Sequence, residues 1–184
     1  MTQLDVYNRA LQRLGAAFMT TLAPNSEAAL TVVNHFEFSK RDVLSRYHWN
    51  AATTEIELLA DDLVPPILSF TYGFRVPVDN IALRYELDGN IYRKRGVYIY
   101  SDVATLSFAY VRNIQVDEME DWLADLVAAR LAADCTLRIT GNAEYLMQNE
   151  RLFATNLIQA KFIDSDESKE KDIGTTKWWT AEYD

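Results

Sequence analysis

The chain has 184 residues, of which 49% are hydrophobic and 12% aromatic, enough to bury a sizeable core in one domain or in one domain with an appendage. Lys and Arg total 18 against 27 Asp and Glu, and a net charge of -9 argues against a protein whose main task is to grip DNA or an anionic membrane. Six Gly and four Pro exclude collagen-like and linker-rich classes, the single cysteine Cys135 excludes an internal disulfide, and the two histidines, His35 and His48, leave almost nothing for a His-based metal site or a catalytic triad.

In chain order, Leu4, Tyr7, Leu11 and Leu14 recur at helical spacing before Gly15, which predicts a short amphipathic helix with a glycine stop. After Pro24, Asn25 or Ser26 is expected to cap a longer helix running to about Tyr47, with Ala29, Val33, Phe36, Val43 and Tyr47 on its inner face. Glu37 with Arg41 and Asp42 with Arg46 are spaced as pairs on its outer face. From Trp49 the period becomes two: Thr54, Ile56 and Leu58 alternate with Glu55 and Glu57, and Leu68, Phe70 and Tyr72 follow the Pro65-Pro66 break. Ile81, Leu83, Tyr85 and Leu87 lead into Asp88-Gly89, which reads as a tight hairpin turn returning Ile91 to Arg95 alongside the preceding strand. Gly96 reads as a kink before Val97 to Tyr100, and Leu106, Phe108 and Tyr110 form a further alternating run, giving five or six short antiparallel strands.

Helical spacing returns at Asp117 and holds to Gly141, and Asn142 is expected to cap a last helix from about Ala143 to Ile163. Its apolar stripe would be Tyr145, Leu146, Leu152, Phe153, Leu157 and Ala160. From Asp164 the periodicity is lost, and the segment to Asp184 carries seven acids and three lysines yet ends in Trp178, Trp179 and Tyr183. The expected class is α+β: a four-helix bundle from residues 1–48 and 117–163, an inserted antiparallel β-rich section at 49–116, and an extended acidic, aromatic-ended tail at 164–184.

Few residues are arranged for chemistry. Asp117, Glu118, Glu120 and Asp121 supply enough carboxylates for acid–base or glycosidase work, but four acids at a helix start are also what the helix dipole favours. Glu55 and Glu57 share one side of a strand, as solvated residues do. Asp164-Ser165-Asp166-Glu167 begins like a calcium loop but lacks the later glycine and terminal glutamate in register. His35 and His48 read as packing or surface residues, and Cys135 reads as a small core hydrophobe. No nucleophile elbow, zinc-protease, paired cysteine or phosphate-loop motif occurs, so no enzyme class, cofactor or metal is expected. Arg93, Lys94 and Arg95 form the one dense basic run, placed to meet phosphates or an acidic partner, or simply to solvate a strand. Trp178, Trp179 and Tyr183 have no core of their own and are expected to dock on the same subunit, a neighbouring subunit or another partner.

The order and spacing of several short segments carry a resemblance. They are Ala10-Leu11-Gln12-Arg13-Leu14-Gly15, Leu22 with Ser26-Glu27-Ala28-Ala29, and Arg41-Asp42-Val43-Leu44 followed by Tyr47-His48-Trp49-Asn50-Ala51-Ala52. Tyr72, Pro77 and Asp79, Leu106 and Tyr110, Ala128-Ala129-Arg130-Leu131-Ala132-Ala133 and Ile139-Thr140-Gly141 complete the set. Over most of residues 5–163 the chain resembles the head-to-tail adaptor family of short-tailed bacteriophages, also called tail tubular protein A. The resemblance implies a structural virion protein without catalytic residues. Many copies, commonly a dodecamer, would form a ring at the head-tail junction that joins the portal protein to the tail nozzle protein. Genomic DNA would pass through its channel without specific binding, and the ring would be assembled in the host cytoplasm with no membrane involved. In that role Trp178, Trp179 and Tyr183 would anchor the tail on the portal or the next subunit, and the β section with Arg93 to Arg95 would face another ring. Another phage joint, such as a head-closure or tail-completion protein, meets the same physical demands. A carboxylate-dependent cell-wall hydrolase is the alternative from a different class.

Overall fold

The computed structural model describes residues 1–167. It is a mixed α+β structure: among the described residues four α-helices flank, in sequence, six strands arranged as two small antiparallel sheets.

α1 (Gln3–Arg13) starts at a capping box in which the Asp5 N–H donates to Thr2 Oγ1 and the Thr2 N–H donates to the Asp5 carboxylate. α2 (Glu27–Ser45) is capped by Ser26, whose hydroxyl oxygen accepts from the Ala29 N–H at 3.1 Å. α3 (Asp121–Thr140) ends at Gly141, which adopts a left-handed conformation with φ 66°. α4 (Ala143–Glu167) is capped by Asn142, whose side-chain oxygen accepts from the Glu144 N–H at 2.8 Å.

α3 is the central element. Leu123, Leu126, Val127, Leu131 and Cys135 are buried together with Ala124, Ala128, Ala129, Ala132 and Ala133, so it is apolar around most of its circumference. The alanines let α1, α2 and α4 pack against it from different sides. Ion pairs tie the same elements at their rims: Arg9 and Arg13 both reach Asp125, and Arg130 contacts Asp42 on α2, Asp134 on its own helix and Glu150 on α4. On α2 the Asp42–Arg46 pair forms as its spacing suggests, whereas Glu37 pairs with Lys40 rather than Arg41, because Lys40 lies inside the protein surface and needs a counter-charge.

The joint between helices and sheets is Tyr47 to Ala52. Trp49 is fully buried, donates its indole N–H to the Val43 carbonyl at 2.9 Å, and packs on Tyr47 and Trp122. A 3₁₀ turn over Asn50–Ala52 follows, and Asn50 is fixed to α4 by two hydrogen bonds to Asp164. The chain then enters β1 (Thr53–Leu59), β2 (Tyr72–Arg75), β3 (Asn80–Glu86), β4 (Tyr92–Arg95), β5 (Tyr98–Ser101) and β6 (Thr105–Arg112). One sheet has the order β1-β6-β3 and the other β2-β5-β4.

Several expectations are corrected. Asp88-Gly89 does not close a hairpin: β3 pairs with β6 and β4 pairs with β5, so this turn carries the chain from one sheet to the other. The hairpin turn is instead Gly96-Val97, between paired Arg95 and Tyr98, with Gly96 at φ 58°. A two-residue loop with positive φ only at its first residue is a type II′ turn, whose twist suits adjacent antiparallel strands. No strand forms over Leu68 to Phe70; after the two prolines a tight turn bridges Ile67 and Phe70 and leaves Leu68 fully exposed. Asp117 and Glu118 lie in a 3₁₀ turn over Val116–Glu118, so only Asp121 of the four acids sits in the first turn of α3. On α4, Tyr145 and Leu152 are exposed, Phe153 and Ala160 are buried, and the helix continues past Ile163 because Asp164 is anchored at the joint.

Two apolar clusters result. The larger fills the helical layer and takes in Trp49, Val111 and Ile114, while Phe74, Ile99, Leu106, Phe108 and Tyr110 form a second between the sheets. No described helix is long and apolar enough to cross a membrane.

Candidate interaction surfaces

The acidic candidates are dispersed by the fold. Glu118 accepts from the Gln115 N–H and pairs with Arg112, and both hold its carboxyl below the usual carboxylate range. Asp121 lies against the Met1 ammonium, which also lowers it. Glu55 and Glu57 are exposed on one side of β1. Asp164 is buried within α4 rather than in a calcium loop, and burial raises its carboxyl although the Asn50 N–H opposes the shift. Among the described residues no group of three or more His, Cys, Asp and Glu is placed to hold a metal ion.

His35 sits with Nδ1 2.8 Å from the Thr31 carbonyl one turn back, and His48 is exposed and stacked on Tyr47. Cys135 is buried against the Thr31 carbonyl, and burial pushes its thiol up to about 12, so at neutral pH it is a packing group rather than a nucleophile.

Arg93, Lys94 and Arg95 are brought to a distinctive place. They occupy β4, an edge strand, and all three are exposed. Arg93 lies over the Phe70 ring at 5.8 Å, and no described carboxylate comes within ion-pair distance of any of the three. By contrast Arg9, Arg13, Arg46, Arg112 and Arg130 are all paired. Among the described residues, the acidic molecule therefore keeps a run of three adjacent cations without ion-pair partners, at a sheet edge.

Beside it lies a cleft of about 430 Å³, between the β4–β5 turn and the β2–β3 connection. Arg75 and Lys94 supply its charge, and Val76, Val78, Val97 and Tyr98 much of its apolar wall, with no acidic residue among those lining it. Val78 is 100% exposed and Val97 62% exposed. The cleft exists because Gly96 turns the hairpin tightly, and because the Val76 N–H continues the ladder to the Val97 carbonyl before Pro77 diverts the chain toward β3. The basic run is legible in the sequence and the cleft is not, since Arg75 and Lys94 come to line one cleft only when β2 and β4 flank β5.

A second surface lies on α4. On α4, Ile158 and Phe162 lie one turn apart and are 71% and 74% exposed, on the side away from buried Phe153 and Ala160. The signal was present in the sequence: these side chains, with Met147, fall outside the inner stripe and make the helix apolar on two sides. Trp178, Trp179 and Tyr183 lie outside the described residues.

Compared with known proteins, the chain matches no family model and no curated protein at a significant level of similarity.

Proposed function

We propose that this chain is a structural virion protein, a head-to-tail adaptor of the kind found in short-tailed bacteriophages. Many copies, commonly twelve, would form a ring that joins the portal protein to the tail nozzle protein at the head-tail junction. In this reading α1 to α4 act as a four-helix bundle, the two sheets project from it toward an adjoining ring, and the C-terminal segment anchors each subunit on its surroundings. No catalytic residue, metal or cofactor takes part. The observation that carries the proposal is the outward face of α4, where Ile158 and Phe162 form an apolar pair that the subunit's own described residues leave uncovered. Apolar side chains of this size on the outside of a long helix suit lateral packing against a neighbour.

Two further properties support it. Tyr47 to Ala52, among the residues that carry the family resemblance, build the joint that fixes the sheets to the helices, which is a mechanical role. A subunit of net charge -9 can line a channel through which DNA slides without binding phosphate tightly.

The test is the native mass of the purified chain, alone and mixed with the assembled portal of the same phage. Addition of one copy per portal subunit is the expected result, even if the free chain is monomeric. A folded chain that adds no mass to the portal would overturn the proposal.

A further inference from the structure

We propose that the cleft beside β4 receives the Trp178–Asp184 segment of a second copy of this chain, an inference that rests on the ring reading above and names one contact within it. The cleft, about 430 Å³ and open to solvent at Val78 and Val97, has room for a large aromatic side chain. Its wall combines Val76, Val78, Val97 and Tyr98 with the cations Arg75 and Lys94. An occupant must therefore bring both an apolar, preferably aromatic, group and negative charge.

The Trp178–Asp184 segment has that composition: in seven residues it holds Trp178, Trp179 and Tyr183 with Glu182 and Asp184, and only Thr180 and Ala181 besides. Trp and Tyr bury a large area at a small cost in rotamer entropy, so they act as anchors in pockets of this kind. The charges are complementary as well. Arg75 shares its charge with Asp61 at 3.6 Å, but Lys94 has no carboxylate partner among the described residues, so an incoming Glu182 or Asp184 meets a cation that is not already neutralised. Ten residues separate Glu167 from Trp178 and can span up to about 35 Å, enough to cross to an adjacent subunit.

The test uses full-length chain and a fluorescently labelled peptide of residues 174–184, read by anisotropy at chain concentrations too dilute for self-association. The Trp178→Ala, Trp179→Ala double variant, whose own segment cannot compete, should bind the peptide. Lys94→Glu added to that variant should weaken binding about tenfold, and a peptide carrying Glu182→Lys and Asp184→Lys should recover it. Lys94 is exposed on an edge strand, so this substitution leaves the fold intact, which circular dichroism verifies. The unaltered chain, diluted, should bind the peptide as well as the double variant does, because a cleft meant for a second copy is open in an isolated subunit. No binding, or binding indifferent to Lys94→Glu, would overturn the proposal. Binding at least tenfold weaker to the dilute unaltered chain would show that its own segment fills the cleft, which overturns the second-copy assignment. Peptide failure leaves the adaptor reading standing, since that is decided separately by mass added to the portal.

Discussion

Arg84 on β3 is the residue whose environment fits it least. Nε, Nη1 and Nη2 are all buried, and none has an acceptor among the described residues. Loss of hydration pushes its guanidinium down to about 10, against the attraction of Tyr85, Tyr47 and Asp164. A cation in this position forfeits its water and gains no direct hydrogen bond, whereas Arg130, also largely buried, is surrounded by Asp42, Asp134 and Glu150 and has its charged form favoured. The two arginines should therefore respond oppositely to replacement. Arg84→Met keeps the long apolar stem and removes the desolvated charge, and we expect it to stabilise the protein by about 1 kcal/mol. For a chain of this length that corresponds to a rise in Tm of roughly 2–4 °C in a thermal melt. Arg130→Met strips the counter-charge from Asp134 and Glu150, leaves Asp42 with Arg46 alone, and should lower Tm. A fall in Tm for Arg84→Met comparable to that for Arg130→Met would mean that Arg84 makes an interaction the fold does not account for.

Among the elements, the β4–β5 hairpin depends on one conformation at one glycine. Gly96 adopts φ 58°, and a Cβ there meets no steric obstacle from other residues, so a substitution costs only the backbone preference. That preference is about 1–2 kcal/mol for an L-residue in the left-handed region. Gly96→Ala should destabilise the protein by this amount in denaturant titration, and it should also open the cleft that the turn shapes. An unchanged midpoint would show that the hairpin tolerates another turn type. The same pair of turns explains what could be read in the sequence. Ser26, Asn142 and Gly141 are local signals, and they mark helix ends where expected because capping involves neighbours within a few residues. Asp88-Gly89 correctly marks a turn with positive φ, at 78°, but a turn signal says nothing of which strand lies alongside. Strand pairing is decided by distant partners. Leu83 and Tyr85 find Tyr110 and Ala109 on β6 because β6 is the buried central strand of its sheet, and this leaves the basic β4 at an edge of the other. The basic run was therefore legible as residues and its cleft was not. The outward apolar face of α4 was legible in principle, but a search for one inner stripe sets aside the residues that lie off it.

At the scale of the whole molecule, the two apolar clusters divide the mechanical work. The helical cluster contains α3, most of whose side chains are buried, and it extends through Trp49, Ile114 and Val111 into the foot of the sheet β1-β6-β3. β6 belongs to both clusters, with Val111 facing the first and Leu106, Phe108 and Tyr110 the second. The sheet β2-β5-β4 joins only the second cluster, through Phe74 and Ile99, and its edge strand β4 is mostly exposed. Local stability follows buried apolar contact, so the protein should open from this distal sheet inward. Native-state hydrogen exchange should give the amides of Leu126 to Ala133 on α3 the full unfolding free energy, and those of β6 a value close to it. Amides of β5 that donate across to β2 and β4 should exchange through a smaller opening, lower by about 2 kcal/mol or more. Equal values in α3 and β5 would instead make the chain a single cooperative unit and remove the basis for this division. A graded result has a functional meaning. The strand bearing Arg93, Lys94 and Arg95, together with the cleft beside it, would adjust to a partner at little cost, while the helices, which in the proposed ring would set the spacing between subunits, stay fixed.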